Sequence, residues 1–279
     1  MSNRLMLEPK VAKSLFDIIH ARHKEAARLY QLGGAREVNN WLSTWIVDEE
    51  LSALYSKFFS TTARYFARRH YLNALQETRS LKSLSIVKNG VSVADLWQRA
   101  IEEYVARHGV RFVSGINETT RNEIVQVLVR AAQEGWDENT TIMALKDKRI
   151  PLIRASRIAR TEITRAASAG ALLAANSVPF LTQKQWITAN DERVRGNPAG
   201  QNSDAPFSHF VLHEIIIPLE SSFFNGEQIR FPADPQASAA NVVNCRCALS
   251  IVPIKDGRGR PVPRTVNETD ILQALLTLL

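Results

Sequence analysis

The chain has 279 residues, of which 45% are hydrophobic and 23% charged, close to the average of a soluble globular protein. This balance excludes a disordered or collagen-like chain. We expect no membrane span, because no apolar run reaches about 18 residues, and no signal peptide, because charges are scattered through residues 1–16. The 35 Lys and Arg exceed the 28 Asp and Glu, which gives a net charge of +7. A basic balance favours polyanionic partners, either nucleic acid or acidic protein surfaces.

The first part of the chain has the apolar spacing of helices. Apolar residues recur at three- and four-residue steps within residues 15–30, 38–45 and 51–76. Gly33 and Gly34 predict a break after the first of these runs, and residues 88–90 predict a turn. Aromatic residues are dense here. We expect them to serve both a helical core and a protein interface, because aromatic side chains are common interface anchors.

Four further helices are predicted before residue 176. The first covers residues 93–108 and ends before Gly109, a residue type favoured just after a helix. The second covers residues 117–133, with Asn117 as its N-cap. A short helix at residues 139–146 precedes a long one at residues 152–175, which is rich in Ala and Arg.

The composition changes after Pro179 to β-formers, Pro, Gly and Asn. An Asn225-Gly226 turn is predicted between the second and third of four short strands. The strands cover residues 184–188, 214–218, 227–231 and 248–251. We also predict a loop at residues 196–203, a flexible basic linker at 255–261 and an amphipathic helix at 270–279.

The predicted fold class is therefore α+β. A helical N-terminal region would cover residues 1–115. A small mixed α+β domain with short strands and long loops would cover residues 116–254. The basic linker and the short C-terminal helix, residues 255–279, would complete the chain.

Cys245 and Cys247 are the two cysteines, and their separation by one residue disfavours a disulfide between them. A disulfide framework is excluded, and we expect a reducing compartment such as the cytoplasm. One interpretation makes both thiolates ligands of a structural zinc ion, completed by His209 and Asp234. The other is that both cysteines are reduced thiols with no metal, one of them buried and the other partly exposed.

Charged and amide residues in the C-terminal half suggest a buried polar network, in which Arg would pair with Asp191 or Asp234. We interpret it as a network that fixes long loops; a catalytic or phosphate-binding cluster is the alternative. Glu162 is interpreted as a helix carboxylate that fixes an arginine from the sheet, with a general base as the alternative. The network residues are Glu162, Asp191, Arg193, Arg195, His209, Asp234, Asn244 and Arg246.

A basic run precedes this region. Arg154, Arg157 and Arg160 recur three residues apart and share one helix stripe, and Arg165 follows. One interpretation is salt-sensitive, sequence-independent contact with DNA phosphates. The alternative is a solvated helix face with intramolecular ion pairs. The chain has no nucleotide-binding P-loop, which argues against a packaging ATPase, and no metalloprotease or hydrolase motif.

Several short motifs follow one another along the second half of the chain. They are Ala159-Arg160-Thr161-Glu162, Trp186, residues 191–195, His209, Phe224-Asn225-Gly226, residues 231–235 and Asn244-Cys245-Arg246-Cys247. Taken in order, these motifs resemble those of the phage Mu F-like family of minor head (head morphogenesis) proteins. The similar region starts near residue 117 and ends near residue 253. Relative to the family, residues 196–208 look like an insertion, and Arg195, His209 and Asp234 stand where other members carry a Cys pair and a His.

This resemblance implies a minor capsid protein of a tailed phage or prophage, present in few copies. Its partners would be the portal protein, other head proteins and, without sequence preference, packaged DNA. It would lie in the head interior or at the portal vertex, after assembly in the bacterial cytoplasm. No enzyme activity and no cofactor are expected, apart from the zinc considered above.

Two other functions remain open. An enzyme of the ADP-ribosyltransferase type would need a Glu-x-Glu or similar acid on a strand, beside an Arg and a Ser-Thr-Ser strand, and the sequence has no such set. A free-standing DNA-binding protein would stay bound to DNA at moderate salt without any portal present.

Overall fold

The computed structural model describes residues 2–45, 48–77, 91–147 and 149–276, and it confirms the α+β class. Long helices are followed by a few short strands. The helices are α1 (Ser2–Ser43), α2 (Glu49–Glu77), α3 (Val93–Glu134), α4 (Glu138–Leu145), α5 (Arg149–Ser177), α6 (Ala239–Val242) and α7 (Glu268–Leu276). The strands are β1 (Thr182–Ile187), β2 (Ile216–Pro218), β3 (Phe223–Phe224), β4 (Gln228–Ile229) and β5 (Ala248–Pro253).

The chain forms two compact units, each built from two separate segments. The first unit comprises residues 1–56 and 108–159, and the second comprises residues 57–107 and 160–279. Helices α2, α3 and α5 each contribute residues to both. The boundary expected after residue 115 falls inside α3, and the one after residue 254 falls inside the second unit. The predicted division of the chain into three parts therefore stays a prediction.

Helix α1 is interrupted at Gly33 and Gly34, as predicted, and Gly34 adopts a left-handed φ of 65° that favours glycine. Apolar residues from before and after this break pack against α3 and α4 in the first unit. The buried members of this core are Ala26, Ala27, Val38, Leu42, Ile124, Leu128 and Leu145.

Helix α3 is one continuous helix that covers the residues of two predicted helices, 93–108 and 117–133. It continues through Gly109, so this glycine does not follow a helix end, and Asn117 lies inside the helix and is not its N-cap. A glycine inside a helix costs about 1 kcal/mol relative to alanine, which tertiary packing outweighs. The ring of Tyr55 packs here, at 3.4 Å from where a Gly109 Cβ would lie. Asn117 instead accepts a hydrogen bond from Arg22 at 2.5 Å.

The second unit contains a three-stranded antiparallel sheet in the order β2-β1-β5. The Asn225-Gly226 turn joins β3 to β4 in a separate hairpin, and not the second and third predicted strands. Residues 161–175 of α5 are all buried, as expected for an Ala-rich helix enclosed on every side. Trp186 of this unit is fully buried, and its ring contacts Phe223 and His209 edge-on.

The predicted flexible linker at residues 255–261 is wrong. Asp256 accepts hydrogen bonds from the main-chain N–H groups of Arg258 and Arg260, both at 2.9 Å, which closes a tight turn. After the turn, Val262 pairs with Leu181 and Ile254, so the chain returns to the sheet region. Helix α7 follows; residues 277–279 of its predicted span and the turn predicted at residues 88–90 lie outside the described residues.

A contact between α2 and α5 in the second unit depends on Gly170. A Cβ there would lie 2.5 Å from the carbonyl oxygen of Ala63 and 2.7 Å from the main-chain nitrogen of Ala67. We expect Gly170→Ala to lower the free energy of unfolding by about 1–3 kcal/mol, because one of these backbones must move. Urea unfolding followed by circular dichroism measures this change.

Gly115→Ala is the matched control, because nothing lies within 4 Å of a Cβ at this exposed position of α3. Helix propensity predicts a gain of up to about 1 kcal/mol there. Equal effects of the two substitutions would show that α2 and α5 do not approach closely at Gly170.

Candidate functional site

The site is built on a stripe of buried polar side chains along α5. They recur at positions i, i+3, i+4 and i+7, which places them on one helix face. Two of them hold the Asn244-Cys245 segment. The hydroxyl oxygen of Thr161 accepts a hydrogen bond from the Asn244 N–H at 2.9 Å. The Thr164 hydroxyl shares its proton between the Cys245 carbonyl, at 2.9 Å, and the Arg160 carbonyl, at 2.8 Å. The four residues are Thr161, Thr164, Arg165 and Ser168.

The other half of the stripe holds a second loop. Arg165 donates through Nε to the Ala233 carbonyl, and the Ser168 hydroxyl donates to the Pro232 carbonyl, both at 3.0 Å. Arg165 also binds Glu162, one turn earlier in the same helix. Glu162 therefore pairs within its own helix, and the prediction that it fixes an arginine from the sheet is wrong. Burial raises the pKa of Glu162, against the effect of the Arg165 charge.

Two arginines fix the turn that presents the cysteines. Asn244 has a left-handed φ of 67°, which Asn tolerates better than most residues, and its side-chain oxygen accepts from Arg160 at 2.5 Å. Arg195 donates to the carbonyls of Asn241, at 2.8 Å, and Val243. The main chain before Cys245 is thus held from both sides.

The two ends of the loop of residues 196–208 lie next to each other and are joined by a hydrogen bond. The main-chain N–H of His209 donates to the Arg195 carbonyl at 2.9 Å. Gly196 has a φ of 72°, and a Cβ there would lie 2.1 Å from the Ser208 hydroxyl oxygen, so only glycine fits. The loop therefore brings His209 back beside Arg195, next to the cysteines.

The predicted polar network separates into several smaller sets. Arg246 pairs with Asp191, and Arg193 lies 3.6 Å from the same carboxylate. The Arg246 hydrogen bond holds the pKa of Asp191 below its usual range. Asp234 is bound by Arg230, whose Nε lies 2.8 Å from Oδ2, and so takes no part in the Asp191 set. Sequence reasoning did not identify Arg230.

His209, Cys245 and Cys247 come together in the second unit, and all three are buried. Their potential ligand atoms lie within 4.8 Å of one another. The His209 Nδ1 atom lies 3.6 Å from the Sγ of Cys245 and 3.4 Å from that of Cys247. These separations match the roughly 3.5 Å between ligand atoms around a tetrahedral zinc ion.

The tautomer of His209 follows from its neighbours. The Asn241 amide nitrogen donates to the Glu227 carboxylate at 3.0 Å, which turns the amide oxygen toward His209. That oxygen lies 2.7 Å from His209 Nε2, so Nε2 carries the proton and donates. Nδ1 is then left with a lone pair directed at the two thiols, the arrangement typical of a histidine that binds a metal.

The thiols are suited to accept a cation. The hydrogen bond from Cys247, more than the neighbouring His209 ring, holds the pKa of the Cys245 thiol well below its usual range, against the effect of burial. A cavity of about 100 Å³ adjoins both cysteines and His209. Asp234, the expected fourth ligand, is bound by Arg230 and is not a member of this group.

Most arginines of the α5 stripe form hydrogen bonds or ion pairs with other residues of the protein. Arg154 binds Glu123 at 2.9 Å and the Ile116 carbonyl at 2.9 Å, and its side chain is 13% exposed. Arg165 is buried, and Arg160 binds Asn244. The predicted surface for DNA phosphates is therefore wrong for Arg154 and Arg165, whereas Arg157 is exposed.

Several residues of the site were missed from the sequence. Thr161, Thr164 and Ser168 are spaced three and four residues apart in an Ala-rich helix, and this spacing in the sequence could have revealed the stripe. Asn241 and Glu227 carry no such signal, because their role depends on contacts between distant loops.

Comparisons with known proteins leave the family open. No family model matches the chain. The uncharacterized protein YqbB of Bacillus subtilis (strain 168) is 27% identical over 143 residues, which cover 50% of this chain and 43% of YqbB. The match thus spans less than half of that relative. No solved structure matches. Among the helices of the described residues, none has the length and apolar character that a membrane crossing needs.

We expect Arg154→Met to destabilise the protein by about 1–3 kcal/mol, because it leaves the partly buried Glu123 carboxylate without its arginine. Urea unfolding and retention on DNA at several salt concentrations measure stability and phosphate contact separately. Arg157→Met, on the same stripe but exposed, should change stability by less than about 0.5 kcal/mol. If the Arg154→Met variant kept its stability and lost DNA retention, the prediction that Arg154 contacts DNA phosphates would be supported.

Proposed function

We propose that this chain is a non-enzymatic minor head protein of a tailed phage or prophage, which acts by binding the portal and neighbouring head proteins. One observation carries the proposal. The motifs that resemble the Mu F-like family lie far apart in the sequence, yet Arg160, Asp191, His209 and residues 244–247 meet in one cluster of the second unit. A set of motifs that converges in space supports the view that they were retained together as one module.

The contacts of this cluster favour a binding module. Arg195 caps main-chain carbonyls, and Arg246 neutralises Asp191. Glu162, which an enzyme would need as an accessible base, is buried beside Arg165. The polar groups hold loops in place, which is the use that a structural protein has for them.

The first unit offers a surface for a protein partner. The lining of a cavity of about 420 Å³ includes Trp41, Trp45, Arg22, Glu49 and Glu50. The Arg22 guanidinium lies 5.0 Å above the Trp45 ring. Tryptophan and arginine are frequent anchors at protein interfaces, so we assign portal contact to this unit. Contact with packaged DNA would fall to exposed basic residues such as Arg157.

We further propose that His209, Cys245 and Cys247 hold a zinc ion. The donor set is the support: two thiols and an imidazole nitrogen whose tautomer Asn241 fixes. Zinc there would tie the loop before His209 to the segment that ends at Cys247 and so stabilise the module. We assign it no catalytic step.

The head-protein proposal is tested by counting copies. We expect the chain, tagged in its own phage or lysogen, to appear in gradient-purified proheads and mature particles at a low, reproducible ratio to the portal by mass spectrometry. Arg246→Met should reduce incorporation, since it removes the ion pair with Asp191. Arg193→Met, at a side chain that is 62% exposed against 24% for Arg246, should not.

Absence of the chain from both proheads and particles would contradict the proposal. Consumption of NAD by the purified chain that Glu162→Gln abolishes would establish the enzyme in its place. DNA retention that persists above physiological salt without any portal would support a free-standing DNA-binding protein.

The zinc proposal has its own test. We expect equimolar Zn²⁺ to raise the Tm of the metal-free protein by roughly 5 °C or more, because the ion binds the folded state alone. Cobalt in its place should give the absorption of cobalt–thiolate bonds. His209→Gln and Cys247→Ser should lose both effects, while His213→Gln, at a histidine outside the cluster, should keep them. A wild-type protein that neither retains zinc nor changes its Tm would overturn the site without affecting the head-protein proposal.

A further inference from the structure

A second cavity in the second unit is lined by residues other than those of the cysteine cluster. Its volume is about 460 Å³, within the usual range for small-molecule sites. Its apolar wall includes Leu172, Leu219 and Phe231. Its charged residues come from β1, from the loop after β2, from the segments that follow β4 and precede α7, and from α7. They are Lys184, Glu220, Arg230, Arg264 and Asp270.

Lys184 lies on the buried face of β1, the central strand of the sheet, and is 3% exposed. Within the described residues its ammonium makes no hydrogen bond and no ion pair; the Phe223 ring, 5.9 Å from Nζ, is its aromatic neighbour. Desolvation lowers the pKa of Lys184 to about 8, and the nearby Glu220 charge opposes this effect. The Lys184 ammonium is therefore a buried donor at the cavity wall that has, among the described residues, no direct hydrogen-bond acceptor, and a bound anion can supply one.

Arg264 offers a second unused donor at the same cavity. One of its terminal nitrogens donates to the Asn176 carbonyl at 2.7 Å and lies 3.8 Å from Asp270. Its Nε is buried and has no hydrogen-bond partner in the described part of the chain. Arg230 differs, because Asp234 already binds its guanidinium.

We propose that this cavity binds the phosphate or carboxylate group of a small organic anion, with Lys184 Nζ and Arg264 Nε as donors. The apolar wall of Leu172, Leu219 and Phe231 receives the remainder of the molecule. Glu220 and Asp270 also line the cavity, and their negative charges oppose anion binding. The proposal uses no residue of the cysteine cluster and holds whether or not the chain is a head protein.

Titration calorimetry with the full chain tests the site. The probes are inorganic phosphate, pyrophosphate and citrate, at constant ionic strength set with chloride. We expect saturable binding that Lys184→Met weakens by about tenfold or more, the loss typical of one charged hydrogen bond. Lys255→Met removes the same charge at an exposed position outside the cavity and should leave affinity unchanged. Glu220→Gln should strengthen binding, because it removes a repelling charge.

The fold is checked in the same variants without ligand. Lys184→Met replaces an unpaired buried cation by an apolar side chain of similar length, so its Tm should equal or exceed that of the wild type. Weaker binding by a fully folded Lys184→Met variant therefore reports on the site. Equal affinities of wild type and Lys184→Met, or the same heat with chloride alone, would overturn the proposal. Absence of saturable binding for all three probes would do so too.

The pH dependence gives a further readout, with sulfate as a probe that does not titrate in this range. Lys184 binds an anion in its protonated form, so affinity should fall as the pH rises from about 7 to about 10. The other charged groups near Lys184 or lining the cavity are Glu220, Asp234, Arg230, Arg264 and Asp270. A fall of the same size in Lys184→Met would contradict the assignment.

Discussion

Hydrogen bonds from the polar face of α5 to two loops hold the second unit together around its candidate site. Loops carry main-chain donors and acceptors that need partners once water is excluded, and here Thr161, Thr164, Arg165 and Ser168 provide them. The loops have little regular structure of their own. Their positions, and therefore that of the cysteines, depend on this helix, which is itself buried along residues 161–175, together with Arg195 on the other side of the turn.

Arginine side chains also donate hydrogen bonds to main-chain carbonyls elsewhere in this protein. Within the part of the chain that the structure describes, a group of arginines each donate to a main-chain carbonyl, which a planar group with five donors can do while it also binds a carboxylate. These guanidinium groups are therefore engaged in hydrogen bonds inside the fold. The arginines are Arg121, Arg154, Arg165, Arg195 and Arg264.

The sequence predicted the element types well, because they depend on local apolar period: the break at Gly33, the long Ala-rich helix and the late strands other than β3 were found. It failed where a distant contact decided the outcome. Gly109 lies inside α3 because Tyr55 packs there, and Arg154 is partly buried because Glu123 faces it. His209 and the two cysteines come together in the structure, as the zinc interpretation requires. The partner of Asp234, the burial of Lys184 and the support of His209 by Asn241 depend on contacts between distant parts of the chain, which periodicity cannot reveal.

The loop of residues 196–208 has a consequence for how this protein can be handled. Since Arg195 and His209 are hydrogen-bonded at its base, the length of chain between them does not set the position of the histidine. Gly196 and Gln201 fix the first half against residues 192 and 202, whereas Ser203 and Asp204 are exposed. Extra residues at that tip would add little to the entropy of closing the loop. An epitope or fluorescent peptide inserted between Ser203 and Asp204 would thus mark the protein internally and leave both of its ends unmodified.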